Sequence, residues 1–363
     1  MNTSQKIQQI LSSTLPVCLA LLVGYVIIWI AGYNPTQAYG ALLQGAVGSN
    51  RQVLNTLFAA TPLIFTGLAT AISFKAGLYN MGSEGQLYLG AFFAAYIGFT
   101  LKGLPPLLHV TACLVGGACA GVLFALIPAV IKAYCDVDEM VSTLMLNYVA
   151  ILLTTWLASY PFRAAGSPNP ETNRIDHTAV LPRLSETAQL QAGFLLALIV
   201  FLAVFLLLNK TVLGYHIASI GKNRDFSQFV GMNVAPKIVL IMAISGMIAG
   251  FGGAVEVLGT HEKFVSGFSA DYGWTGLTIA LIGRYNPLGV FAGALLFGVL
   301  KNGGSTMEIM TGVPRSLISI IEGLIVLFFT VELIERRTSL FSKLLCSVKR
   351  HTTKQAKGAH LDG

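Results

Sequence analysis

Charge is what this chain has least of. Only 11% of its 363 residues are Asp, Glu, Lys or Arg, against 54% hydrophobic residues and a mean hydropathy of +0.70. A soluble domain carries about a quarter charged residues, so that class is excluded. Cysteine is also scarce. Cys18, Cys113, Cys119, Cys135 and Cys346 show no Cys-x-x-Cys spacing and lie in or beside apolar stretches; they read as small buried hydrophobes rather than as a disulfide or zinc framework. Catalytic signatures are missing too. A phosphate-binding loop needs Gly-x-x-x-x-Gly-Lys followed by Ser or Thr. The one approach to it, Gly221-Lys222, has His216 in place of the first glycine and Asn223 in place of the hydroxyl residue. No His-Glu-x-x-His or Gly-x-Ser-x-Gly pattern occurs, so neither an ATPase site nor a hydrolase site of those types is encoded.

Long apolar runs fill the chain instead. About 20 helical residues cross a hydrocarbon core, and such runs recur at roughly 15–33, 54–74, 84–101, 107–134, 141–161, 192–208, 238–258, 274–282, 288–299 and 317–333. The expectation is an all-α, polytopic membrane helix bundle of about ten transmembrane helices, with the eighth and ninth short enough to be tilted, extended or a broken pair. The first run outlasts a signal-peptide core and reads as a retained anchor. Lys and Arg concentrate in loops that place both termini in the cytoplasm, in the 209–237 loop and in the tail 336–363, as basic residues stay inside. The membrane-spanning body is therefore 1–335, with an external Pro-, Ser- and Asn-rich loop at 162–191. The net charge of +7 points to anionic membrane lipid and not to nucleic acid.

One stretch breaks the apolar pattern. Gly77-Leu78-Tyr79-Asn80-Met81-Gly82-Ser83-Glu84-Gly85-Gln86 sets two amides and a carboxylate between long hydrophobic helices. Irregular backbone and polar side chains survive in a membrane only where protein or a water-filled path covers them. Asn80, Glu84, Gln86 and, on the fifth helix, Asn147 are the candidate solute-path residues. The competing reading is that they satisfy backbone groups freed by the helix break, with Glu84 favoured by a helix N-terminus. Few other carboxylates lie in apolar runs, Glu256 and Glu322 among them, which disfavours an ion-coupled carrier without removing it. Glycines four residues apart, Gly117 with Gly121, Gly246 with Gly250 and Gly289 with Gly293, predict close helix packing within the bundle. In the 209–237 loop, Asn223 reads as an N-cap and Gly231 as the stop of a short helix from Asp225 to Val230, shaped to enter a partner's groove.

These stretches resemble the permease subunits of bacterial ABC importers for simple sugars, branched-chain amino acids and nucleosides. The likeness is carried by the 77–86 break, by Asp138-Glu139-Met140-Val141-Ser142-Thr143-Leu144-Met145-Leu146-Asn147-Tyr148, by the run from Gly273 to Gly289, and by Thr211, Gly214, Gly221, Asn223 and Gly231 in the cytoplasmic loop. It extends from about Asn34 to Leu333. The long 34–51 segment and the Pro-rich external loop are most similar to the longer permease of nucleoside-type systems. The resemblance implies a subunit of the bacterial inner membrane that forms half of a path for a small hydroxyl-rich solute, most readily nucleosides, with ribose-like sugars and flavins as alternatives. It further implies a second, homologous permease, an extracytoplasmic substrate-binding lipoprotein, and a partner ATPase that binds ATP and Mg while this chain binds no cofactor. Gly214, Gly221, Asn223, Asp225, Phe226 and Gly231 then belong to the loop that couples to the ATPase. This chain departs from the family's pattern at Ala218, where Arg is usual, and at Phe226-Ser227, where a small Ala-Ala pair is usual.

Overall fold

A computed structural model describes residues 3–329 and 331 of the chain, with side chains from residue 16 onward. The tenth expected helix and the basic tail therefore fall partly or wholly outside the described residues, as does Cys346. Thirteen α-helices are described: α1 Thr3–Ile30, α2 Pro35–Val47, α3 Asn50–Lys75, α4 Ser83–Thr100, α5 Pro106–Cys135, α6 Glu139–Ser159, α7 Gly193–Lys210, α8 Val212–Lys222, α9 Arg224–Phe229, α10 Val234–Glu256, α11 Tyr272–Ile282, α12 Pro287–Thr311 and α13 315–329. No strand occurs among the described residues, only isolated bridges. Among the described residues, six helices are long and apolar enough to cross a membrane: α3, α5, α6, α7, α10 with the turn that follows it, and α12.

Several expected boundaries shift. The 34–51 segment contains α2, whose small and polar residues gave no apolar run. The ninth run grows from an expected 288–299 to the 25-residue α12, because Lys301, Asn302 and two glycines interrupt its hydropathy and not its helix. The seventh ends in a π-turn, Val257–His261. Cysteine exposure also corrects the sequence reading: Cys113 is buried, but Cys18, Cys119 and Cys135 lie exposed on their helices. Lipid is as apolar as a protein core, so hydrophobicity in a membrane protein does not separate inward from outward faces.

The chain forms two compact units. One comprises the residues up to Ala41 and from Met307 onward. Within it the Tyr39 hydroxyl donates to the Leu21 carbonyl at 2.7 Å, its ring stacks on Tyr25, and Gly24 admits the side chain of Ile321. The other unit, Leu42–Thr306, holds the polar break. Its centre is α3, α4 and α10, buried along most of their lengths, whereas α6 and α7 are buried along only a minority of theirs. Three helices meet at a glycine seam. A Cβ on Gly121 would overlap the carbonyl of Gly246, one on Gly90 the backbone of Gly250, and one on Gly253 the carbonyl of Leu87. The four-residue glycine spacing thus serves packing of α4, α5 and α10 within one chain.

At one end of this unit, residues 162–191 fold back as an ordered cap. The Phe162 ring packs on Tyr96 and Phe92. Thr172 and Phe264 exchange hydrogen bonds, and ion pairs join Lys263 to Glu171 at 2.7 Å and Arg174 to Glu262 at 3.2 Å. Lys263 and the Ser167 hydroxyl hold the Glu171 carboxyl below the usual carboxylate range.

Candidate functional site

Helix α3 stops at Lys75 for a local reason. Gly77 takes the left-handed conformation (φ +72°), its N–H bonds to the Phe74 carbonyl, and the Leu78 N–H reaches back to the Ser73 carbonyl. This glycine-closed end satisfies the last carbonyls and turns the chain around. Residues 78–82 then run back beside α3 in irregular backbone until α4 starts. Ser83 reaches the level of Thr70, with 3.1 Å between their hydroxyls.

Such backbone has free donors and acceptors, and in an apolar interior each needs a partner. A polar stripe on α6 supplies them. Glu139, Thr143 and Asn147, spaced by four, share one helix face. Glu139 Oε1 accepts from the Tyr79 N–H at 3.1 Å, Thr143 Oγ1 from the Met81 N–H at 3.0 Å, and Asn147 Oδ1 from the Gly85 N–H at 2.8 Å. The Asn147 amide donates in return to the Met81 carbonyl at 2.6 Å. Gly85 is a first-turn residue of α4, so Asn147 caps that helix from a neighbouring one.

The other three predicted residues lie on the same break. Asn80, fully buried, accepts from the Gly82 N–H at 2.9 Å and donates to Ser245 Oγ at 3.0 Å, and Ser245 donates onward to the Ala69 carbonyl at 2.7 Å. Its amide pairs with that of Gln86, with two reciprocal contacts of 3.4 Å. Glu84 faces elsewhere, toward the first turn of α11, where the Gly273 N–H donates to its carboxylate. Gly273 is required there: a Cβ would come within 2.7 Å of Glu84. Two helix N-termini, those of α4 and α11, thus converge on one carboxylate, which their dipoles favour.

Asn80 and Gln86 therefore pair directly, Asn147 holds the backbone of the same break from α6, and Glu84 forms a separate contact through α11. Sequence reading missed Glu139, Thr143 and Ser245. The first two were legible as polar residues four apart ending at Asn147; Ser245 has no local signal and is joined to Asn80 across 165 positions.

The 209–237 loop is built of two helices rather than the one expected. Thr211 caps α8 by accepting from the Gly214 N–H at 3.1 Å, and Gly214 is close to the carbonyls of Leu207 and Leu208, where a Cβ would collide. Helix α8 buries Ile217 and Ile220 and exposes Val212 and Tyr215. Gly221 rests against the Lys75 carbonyl, and Gly77 packs against Gly221, so the end of α8 touches the start of the break. Asn223 caps α9 as predicted, accepting from the Phe226 N–H at 2.9 Å. Asp225 stands in the first turn, where a carboxylate complements the helix dipole. Gly231, at φ +91°, ends the helix, with the Met232 N–H bonded to the Ser227 carbonyl. Ser227 is buried, whereas Phe226, Phe229 and Val230 are 60%, 90% and 62% exposed. A contiguous apolar tip of that kind on a capped helix is what an interaction surface presents.

Comparison with known proteins supplies the family. The family described as branched-chain amino acid transport system / permease component matches residues 52–330. The chain is 33% identical over 330 residues to a guanosine ABC transporter permease protein of Bacillus subtilis (strain 168), an alignment covering 89% of this chain and 94% of that one. It is 33% identical over 328 residues to a glucose ABC transporter permease protein of Haloferax volcanii, covering 86% and 85%. It is 29% identical over 340 residues to a nucleoside ABC transporter permease protein of Lactococcus lactis subsp. cremoris, covering 91% and 93%. No solved structure matches it. With these relatives and its apolar helices, the molecule is a multi-pass membrane protein.

Proposed function

The chain belongs to the family of permease components of branched-chain amino acid transport systems, and on that premise we propose that it is a membrane-spanning subunit of a bacterial inner-membrane ABC importer for nucleosides. The observation that carries the reading is the near end-to-end likeness to permeases named for guanosine and for nucleosides. In this reading α1, α4, α11 and α13 join the six long apolar helices to give ten crossings with both termini inside. The chain forms half of a path shared with a second, homologous permease. A nucleoside-binding lipoprotein delivers solute from outside, and ATP and Mg bind a partner ATPase.

The chemistry of a nucleoside suits such a subunit. It is neutral and hydroxyl-rich, so its recognition needs amides and carboxylates with little net charge. Asn80, Glu84, Gln86 and Asn147 border the path in this reading. Their inward hydrogen bonds keep the break rigid until the helices around it shift. The loop carrying Gly214, Gly221, Asn223, Asp225, Phe226 and Gly231 docks on the ATPase, with Phe226 as apolar anchor. The likeness to a glucose permease favours a sugar as the second reading.

Uptake of labelled uridine and adenosine by cells with and without this chain tests the proposal. Loss on deletion, insensitive to excess unlabelled ribose or glucose, is expected. Unchanged nucleoside uptake together with lost sugar uptake overturns the nucleoside reading in favour of the second. Glu84→Gln tests the path: unchanged transport with unchanged assembly removes Glu84 from it.

A further inference from the structure

Four charged residues near the break have no part in the function proposed so far, and they form one continuous line of contacts. Arg224 Nη1 on α9 lies 2.8 Å from Asp136 Oδ1, and Lys132 Nζ lies 3.3 Å from the same oxygen. Lys132 Nζ also lies 3.1 Å from Glu139 Oε2, and Glu139 Oε1 accepts from the Tyr79 N–H at 3.1 Å. The line starts on the exposed loop and ends on the backbone of the broken segment.

Its two ends differ in strength. The side chains of Lys132 and Glu139 are only 17% and 8% exposed. Removing one partner of such a pair leaves a charge stranded, which is strongly destabilising. Asp136 and Arg224 are 74% and 38% exposed, so water and salt screen their contact and it contributes little to stability. The inner contacts are therefore durable and the outer one is easily made and broken. Asp136 is held ready for it: its backbone is left-handed (φ 53°) between α5 and α6, and its carboxyl lies below the usual range beside Arg224 and Lys132. The Gly77–Gly221 contact lies on the same route, so α8 and the break meet there, while α9 is joined to α8 by the Ser219–Ser227 hydroxyl contact at 3.1 Å and to the α5–α6 turn by Arg224.

We infer that Arg224, Asp136, Lys132 and Glu139 are positioning residues that transmit displacement of α9 to the broken segment at Tyr79, the Arg224–Asp136 contact being the one that opens and closes. This rests on the reading of 209–237 as the ATPase-docking loop. It goes further by naming the connection through which docking motion reaches the membrane.

Hydrogen exchange on the assembled transporter, with and without a non-hydrolysable ATP analogue, tests this independently of the solute. In the wild type the analogue should change exchange both in 224–230 and in 78–82. In Asp136→Asn the response of 224–230 should persist while that of 78–82 shrinks by about twofold to fivefold, the span expected of an exposed ion pair. Arg224→Ala should match it, Arg224→Lys should restore the response, and the double variant should be no worse than either single one. A full 78–82 response in Asp136→Asn overturns the inference, as does a double variant in which the two losses multiply. Loss of the 224–230 response in Arg224→Ala also overturns it, because Arg224 is then a docking contact. If 224–230 in the wild type does not respond at all, the docking reading itself fails and the relay falls with it.

Discussion

The 77–86 break and the α8–α9 loop defy their surroundings in opposite directions. In the first, polar side chains are buried within an apolar bundle: Asn80, Glu84 and Gln86 are all but inaccessible. In the second, Phe226, Phe229 and Val230 stand exposed at the tip of a short polar helix. Every predicted residue of the break has a hydrogen-bond partner in the chain. Among the described residues, no element covers the apolar tip. Buried polarity that is fully partnered is a structural solution complete in one subunit, whereas exposed apolarity awaits a neighbour. The same capping rules shape both. A glycine closes α3 and another closes α9, and each region has an asparagine cap: Asn147 caps α4 from across the bundle and Asn223 caps α9 from the residue just before it.

Variants can break this comparison, starting inside the membrane. Asn147→Leu strands the Gly85 N–H and the Met81 carbonyl together, an expected loss of about 2–5 kcal/mol. Thermal unfolding of the purified permease reads it, and an unchanged midpoint would refute the role of the α6 stripe. Gly250→Ala forces a Cβ into the backbone of Gly117 and Gly121. Despite alanine's better helix propensity, the overlap should cost about 1–3 kcal/mol. The same unfolding assay applies, and a more stable variant would show that the seam has slack. Asn223→Ala should cost about 1 kcal/mol, confined to α9, visible as faster hydrogen exchange in 224–230 with the global midpoint unmoved.

The smallest effect lies at the opposite end, in the 162–191 cap. Because Lys263 and Ser167 depress the folded-state value of Glu171, this contact stabilises above the ordinary carboxylate value of about 4.3. It is lost as pH falls through the lower, folded-state value. Exchange protection of 170–175 should therefore persist to mildly acidic pH and fade below it. In Lys263→Met that acid transition should move upward, and a transition at the same pH in both proteins would count against the ion pair.

Much of this was legible in the residues. The break announced itself as polarity in an apolar context, Asn223 and Gly231 are cap residues whose chemistry is local, and the glycine spacing foretold a close seam. Helices α2 and α8 were not legible as elements, since one lacks a long apolar run and the other is an amphipathic stretch within a loop. The inward partners of the break were hidden as well. Tyr79 meets Glu139 across 60 positions and Asn80 meets Ser245 across 165; neither separation carries a periodicity. The exposed cysteines were misjudged because in a membrane a hydrophobic residue is equally at home on either face of a helix.

The break is complete within this chain, whereas the α9 tip stands uncovered among the described residues. One paired measurement tests this contrast: thermal unfolding of the isolated permease, and co-purification of the partner ATPase, for Phe226→Ala/Phe229→Ala beside the wild type. The account predicts an unfolding midpoint within the small range of surface substitutions, about 0.5 kcal/mol, and a large loss of ATPase. A destabilised permease, or undiminished ATPase on a stable one, would contradict it.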